Sequence, residues 1–252
     1  MVGQEPRGTE KMAKFVTKTA FTVGLLILLM SVPALAASIN KSIKIGDGEE
    51  SRGATSVNGS ITVGENAVVT GGLNTVNGKI IVDNGASVEN ANTVNGRVSV
   101  GDNVTTEDLS TVNGSIAVGE NTKVDGDVGA VNGSITLEKG CIVSREVSNV
   151  NGRIELTGAE VGGDIETVNG DVELADASVV KGDLVVEKPS GWGWDKDKSR
   201  KPRIVIGPGS RVEGTIELER EVELFISESA EVGGVSGVMS MDDAVRYSGD
   251  HP

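Results

Sequence analysis

Short stretches that alternate apolar and polar residues recur along this chain. Ser60-Ile61-Thr62-Val63, Arg97-Val98-Ser99-Val100 and Arg153-Ile154-Glu155-Leu156 are three of them. A period of two marks a strand with one face buried. Aligning the stretches puts the apolar positions into columns. The first holds Ile61, Ile80, Val98, Ile116, Ile135, Ile154 and Val172, and the second Val63, Val82, Val100, Val118, Leu137, Leu156 and Leu174. A third is small, with Ala67, Ala86, Cys141, Ala159 and Ala177, and Val104 and Thr122 as variants. A fourth runs Val69, Val88, Val124, Val143, Val161 and Val179, broken by Thr106. The fifth is Leu73, Ala91, Leu109, Val128, Val147, Ile165 and Leu184. Val57, Val76, Val94, Val112, Val131, Val150 and Val168 form the sixth.

Each valine of the sixth column opens a Val-Asn-Gly tripeptide. Its asparagines, Asn58, Asn77, Asn95, Asn113, Asn132, Asn151 and Asn169, are spaced by 18 or 19 residues. A fixed period of this length signals a solenoid. Six inward positions per period predict three short strands joined by tight bends. That is one coil of a parallel β-helix, with coils stacked roughly 4.8 Å apart. The expected fold is all-β, a single domain of about ten coils and roughly 45–50 Å of rod. At the bend, Gly is expected to supply a positive φ. The Asn side chains are expected to form a structural ladder from coil to coil; a row of sugar-binding amides is the alternative role for them.

The columns reach past the motif. Ile43 and Ile45 lie 18 residues before Ile61 and Val63, and Ile204, Ile206, Val212, Ile216, Leu224, Ile226, Ala230 and Val232 continue them. The helix is therefore expected over residues 37–235. An inserted loop at 188–202 replaces one Val-Asn-Gly corner and holds both tryptophans of the chain, Trp192 and Trp194, with Lys196 and Lys198 beside them. Insertions in solenoids project from one face, so these four residues are the candidate contacts for a glycan or protein partner. Residues 236–252 are expected to be a C-terminal tail or a cap.

Residues 1–36 read as a secretory signal peptide. Lys11, Lys14 and Lys18 precede an apolar run from Ala20 to Val32, and Ala34-Leu35-Ala36 fits the small-x-small cleavage rule. The run is shorter than the ~20 residues of a membrane span, so a membrane contact is expected only if this segment stays uncleaved. The chain is thus expected to be exported to the periplasm, the cell surface or the medium.

Composition narrows the chemistry. Aromatics make up 2% of residues, which leaves a core of aliphatic side chains, and the formal net charge of −14 disfavours nucleic acid as a partner. The only cysteine, Cys141, falls in the small inward column and excludes an intramolecular disulfide. The only histidine is His251, so no Ser/His/Asp triad and no histidine-based metal site is expected. Acidic residues such as Asp164, Glu166, Asp171 and Glu173 lie outside the columns and read as a solvated surface rather than a calcium site. No cofactor and no catalysis are expected.

The Val-Asn-Gly-x-Ile-x-Val unit resembles the β-strand-repeat family of adhesins. The segment Ile206-Gly207-Pro208-Gly209-Ser210-Arg211-Val212-Glu213-Gly214-Thr215-Ile216 resembles bactofilins, the polymer-forming cytoskeletal proteins of bacteria. The resemblance covers about residues 40 to 235 and implies a right-handed, three-sided helix able to self-assemble. The predicted signal peptide departs from bactofilins, which act in the cytoplasm, and shifts the expected role to the envelope. Hexapeptide acyltransferases also have 18-residue coils, but Thr75 breaks the period of six and the histidine they use is missing. The chain is expected to be a structural, adhesive or self-assembling envelope protein, with itself or an envelope glycan or protein as partner. A carbohydrate-binding or polysaccharide-processing module working through Trp192 and Trp194 is the alternative.

Overall fold

In each period the chain makes three short strands, and each strand pairs with its counterpart one coil away. The coil from Ile61 to Thr75 shows the unit: Ile61–Val63 on a first face, Val68–Val69 on a second and Leu73–Thr75 on a third. The computed structural model describes residues 37–189 and 200–252 of the chain. All pairings among them are parallel, for example Ile61 with Ile80, Val69 with Val88 and Leu73 with Ala91. The result is an all-β parallel solenoid of about ten turns. The first face stacks eleven strands, from Ile43–Ile45 to Val245–Tyr247.

One continuous core runs along the axis, from Ile45 to Ala230. Ile61, Ile80, Ile116, Ile135 and Ile154 are all fully buried in it. Burying each such side chain is worth about 2–3 kcal/mol, which is how a chain nearly without aromatics closes a dry interior. Like packs on like because the inter-coil hydrogen bonds fix the register.

Three expected columns are corrected. In the sixth, the valines of Val-Asn-Gly are mostly half-buried, and the residue before each points inward: Ser56, Thr75, Thr93, Thr111, Ala130, Asn149 and Thr167. Strand parity is the reason. Leu73 already faces inward, so Thr75 must too, and Val76 falls on the other side. The inward hydroxyls donate to glycine carbonyls of the coil below: Thr75 to Gly59 at 2.9 Å, Thr93 to Gly78 at 3.0 Å and Thr111 to Gly96 at 3.0 Å.

The third and fourth columns slip near residue 177. Asp176 and Ala177 both take positive φ, 51° and 59°, and add one residue to the turn. Ser178 and Val180 therefore occupy the inward positions, and Val161 pairs with Val180 rather than with Val179. Ala177 is exposed and Val179 half-buried.

At the C-terminal end the strand Glu231–Gly237 pairs with Arg211–Leu218. A 3₁₀ turn, Met241–Asp243, then leads into Val245–Tyr247, which pairs with Phe225–Ser227. Asp243 anchors the turn by accepting the Ser240 N–H at 2.8 Å. That bond, with one from the Ser240 hydroxyl, holds the Asp243 carboxyl below its usual range.

Candidate functional site

The bend from the third face back to the first is where the sequence concentrates its repeat. The seven motif asparagines lie one above another on this edge. Each side-chain amide N–H donates to the amide oxygen one coil below: Asn77 to Asn58 at 2.8 Å, Asn95 to Asn77 and Asn113 to Asn95 at 2.9 Å, Asn132 to Asn113 at 3.0 Å, Asn151 to Asn132 at 2.9 Å and Asn169 to Asn151 at 3.0 Å. The row extends downward by one residue, since Asn58 donates to Asn40 at 2.9 Å. Sequence reading missed Asn40 because Lys41 follows it instead of Gly; its place 18 residues before Asn58 was the available signal.

The upper end of the row is closed by Arg220. Its Nη1 donates to the Asn169 amide oxygen at 2.7 Å and to the Val168 carbonyl at 3.2 Å, and its Nη2 to the Arg200 carbonyl at 3.2 Å. Thr167, Val186 and Leu218 stack in register, so Arg220 lies two coils above Asn169 and spans the coil that holds the insertion. Partial burial depresses the pKa of its guanidinium. Nothing in the local sequence around Arg220 marks this role, because the contact joins residues 51 apart.

The motif glycines serve this edge in a way different from the expectation. Of Gly59, Gly78, Gly96, Gly114, Gly133, Gly152 and Gly170, only Gly152 has a positive φ, 135°. The requirement is close approach of stacked main chains. A Cβ on Gly114 would lie 1.9 Å from the Gly96 oxygen, and one on Gly78 2.2 Å from the Gly59 oxygen. Positive φ belongs to the bend between the first and second faces, at Gly48, Asn66, Gly85, Asn103, Asn121 and Gly140.

On the other two edges carboxylates act as staples. Between the second and third faces, Asp108 accepts the Asp127 N–H at 2.8 Å, Asp127 the Glu146 N–H at 3.2 Å and Asp164 the Asp183 N–H at 2.8 Å. Between the first and second faces, Asp102 accepts the Glu120 N–H at 2.8 Å. Asn84 and Asn90 take the same role on these edges, accepting the Asp102 N–H at 2.9 Å and the Asp108 N–H at 3.1 Å, so the asparagine edge is stapled by amides and the other two by carboxylates and amides together.

Trp192, Trp194, Lys196 and Lys198 lie outside the described residues. The described ends of their insertion are both tied to the asparagine edge. Asp171 accepts from Arg200 at 2.7 Å and from the Arg203 N–H at 2.8 Å, and Glu219 accepts the Lys188 N–H at 3.1 Å. The acids considered for calcium are engaged elsewhere: Asp171 with Arg200, and Glu173 with Arg153 at 3.6 Å. No group of three or more His, Cys, Asp or Glu among the described residues is placed to hold a metal ion. Cys141 is fully buried, and burial pushes its thiol up to about 12. No family model matches the chain, and no curated protein and no solved structure matches it.

Proposed function

We propose that the chain is an exported rod of the bacterial envelope whose work is structural, adhesive or self-assembling, and that it performs no catalysis. The observation that carries this reading is the continuous parallel strand pairing from Ala37–Ser38 to Val245–Tyr247, stapled by an amide row along one edge. Each coil serves mainly to hold the next. Such a fold supplies stiffness, a repeating surface and open strand edges at its ends. Among the described residues, Ile43–Ile45 and Glu50–Ser51 have a strand partner on one side only, and Ile39 beside them is 71% exposed. The resemblance of Ile206–Ile216 to bactofilins points to the same class of role, and the predicted signal peptide, residues 1–36, which lies outside the described residues, supports a role outside the cytoplasm. End-to-end joining of copies through these edges is the proposed mode of assembly.

Electron microscopy of the purified protein tests this. Filaments, or rods longer than one molecule, are the expected images. Monomers that bind envelope glycans and lose that binding on Trp192→Ala with Trp194→Ala would replace this reading by the carbohydrate-binding one. A purified sample that turns over a defined polysaccharide would end the non-catalytic reading.

A further inference from the structure

The charge of the rod is divided by side. Over the first six coils, the segments 37–45, 54–63, 73–82, 91–100, 109–118 and 128–137 build the third face, the asparagine edge and the first face, and they contain no Asp or Glu. Between them, the segments 46–53, 64–72, 83–90, 101–108 and 119–127 build the second face and its two bordering edges. They hold twelve Asp and Glu against two cations, Arg52 and Lys123. Lys123 is itself paired with Asp125 at 2.6 Å.

The acid-free side carries Lys41, Lys44, Lys79 and Arg97, all exposed. Among the described residues none of the four has a carboxylate within ion-pair distance; Arg97 donates only to the Ser115 hydroxyl, at 3.0 Å. Their surroundings are uncharged: Thr62, Ile81, Ser99, Ala117 and Thr136 on the first face, Asn74 and Asn92 on the third. Higher up the strip ends, since Arg153 faces Glu155 at 3.8 Å and Glu173 at 3.6 Å. A chain of net charge −14 thus presents unpaired cations on a side stripped of acids.

We propose that two copies of this chain associate side by side, the asparagine edge of one against the acidic side of the other. The proposal deepens the self-assembly reading by adding a lateral contact to the end-to-end one. The complementary surface is already on the molecule and at the right pitch. Lys79 and Arg97 are one coil apart, and on the acidic side Glu65, Asp102 and Glu120 share one column, in which Asn84 holds the remaining place with Asp83 beside it. Both sets follow the same roughly 4.8 Å repeat, so a whole-coil offset sets Lys79 and Arg97 against the consecutive pair Asp102 and Glu120. The contact is heterologous. A rod engaged through its asparagine edge still offers its acidic side, so association continues into sheets or bundles. Exposed pairs of this kind are individually weak and screened by salt, with a Debye length of about 10 Å at 0.1 M.

Sedimentation velocity and electron microscopy of the protein purified from cells expressing the full chain test the proposal, at low and at high salt. Laterally paired or bundled rods at low salt, reduced to single width at high salt, are expected. Lys79→Glu with Arg97→Glu should weaken lateral association at least about tenfold, with circular dichroism unchanged. A second variant, Glu65→Lys with Glu120→Lys, should fail alone and associate when mixed with the first. Single-width rods at low salt, or bundles indifferent to both variants, overturn the proposal. So does an edge that leaves rods single but binds heparin in a Lys79- and Arg97-dependent way, since its partner is then a foreign polyanion. Filament length reads the end-to-end mode separately: loss of long filaments with retained pairing defeats that mode alone, and single-width long filaments defeat only the lateral one.

Discussion

At the scale of single residues, distances between coils set what each position tolerates. Gly114 is required because its neighbour's main chain leaves no room for a Cβ, which would sit 1.9 Å from the Gly96 oxygen. Gly114→Ala should cost about 3 kcal/mol or more, since stacked backbones cannot part without breaking ladder bonds. A fall in the thermal midpoint, or recovery of only insoluble protein, would show it. Cys141 illustrates the opposite case, a side chain with space but no solvent. Burial raises its thiol to about 12 because the thiolate would be stranded in an apolar interior. The native protein at pH 8 should therefore leave a thiol reagent unconsumed, and the denatured protein should react with one equivalent. A thiol whose pKa is raised on folding favours the native state while protonated. Its contribution is lost only as the unfolded form becomes the better thiolate, at alkaline pH above its ordinary value of 9.0.

At the scale of elements, the asparagine row and the hydroxyl column behind it staple the same bend from outside and inside. Asn113 donates to Asn95 and accepts from Asn132. Asn113→Ala removes both bonds, and at net values of about 0.5–1.5 kcal/mol each it should lower stability by about 1–2 kcal/mol, readable by urea titration. Inside, two coils depart from the rule: Ala130 carries no hydroxyl, and Asn149, stacked between Ala130 and Thr167, carries an amide. The Asn149 oxygen accepts the Thr167 hydroxyl at 2.6 Å, while its buried Nδ2 has no partner. Asn149→Thr restores the hydroxyl that Thr75, Thr93 and Thr111 use on a glycine carbonyl and deletes the orphaned donor. A gain of about 1 kcal/mol is expected in the same titration.

At the scale of the molecule, stability is a sum over neighbouring coils, because each coil touches chiefly the ones above and below it. Interior coils have two such neighbours, the end coils one. Amide hydrogen exchange should therefore be slowest across the strands between Leu109 and Leu156. It should be faster at Ile43–Ile45 and Glu50–Ser51, which among the described residues pair on one side only. Uniform protection along the chain would mean that the rod opens as one unit instead. The same one-dimensional build makes side-by-side and end-to-end contacts separable by experiment: one depends on charges along the length, the other on strand edges at the ends.

The sequence by itself determined the coil length, the inward columns of the first face and the alignment of the asparagines. All of these are periodic along the chain, and a period of two within a period of 18 or 19 residues can be read without coordinates. Only the tertiary structure decided what depends on the spacing between coils. It put Thr75 rather than Val76 inside, made close approach the reason for the glycines, and let Asp176 and Ala177 absorb one extra residue. It also brought Arg220 onto Asn169 across 51 residues. Periodicity reports which positions recur, but backbone-to-backbone distance, the parity of a strand at a bend and the reach of a long side chain exist only once the coils are stacked.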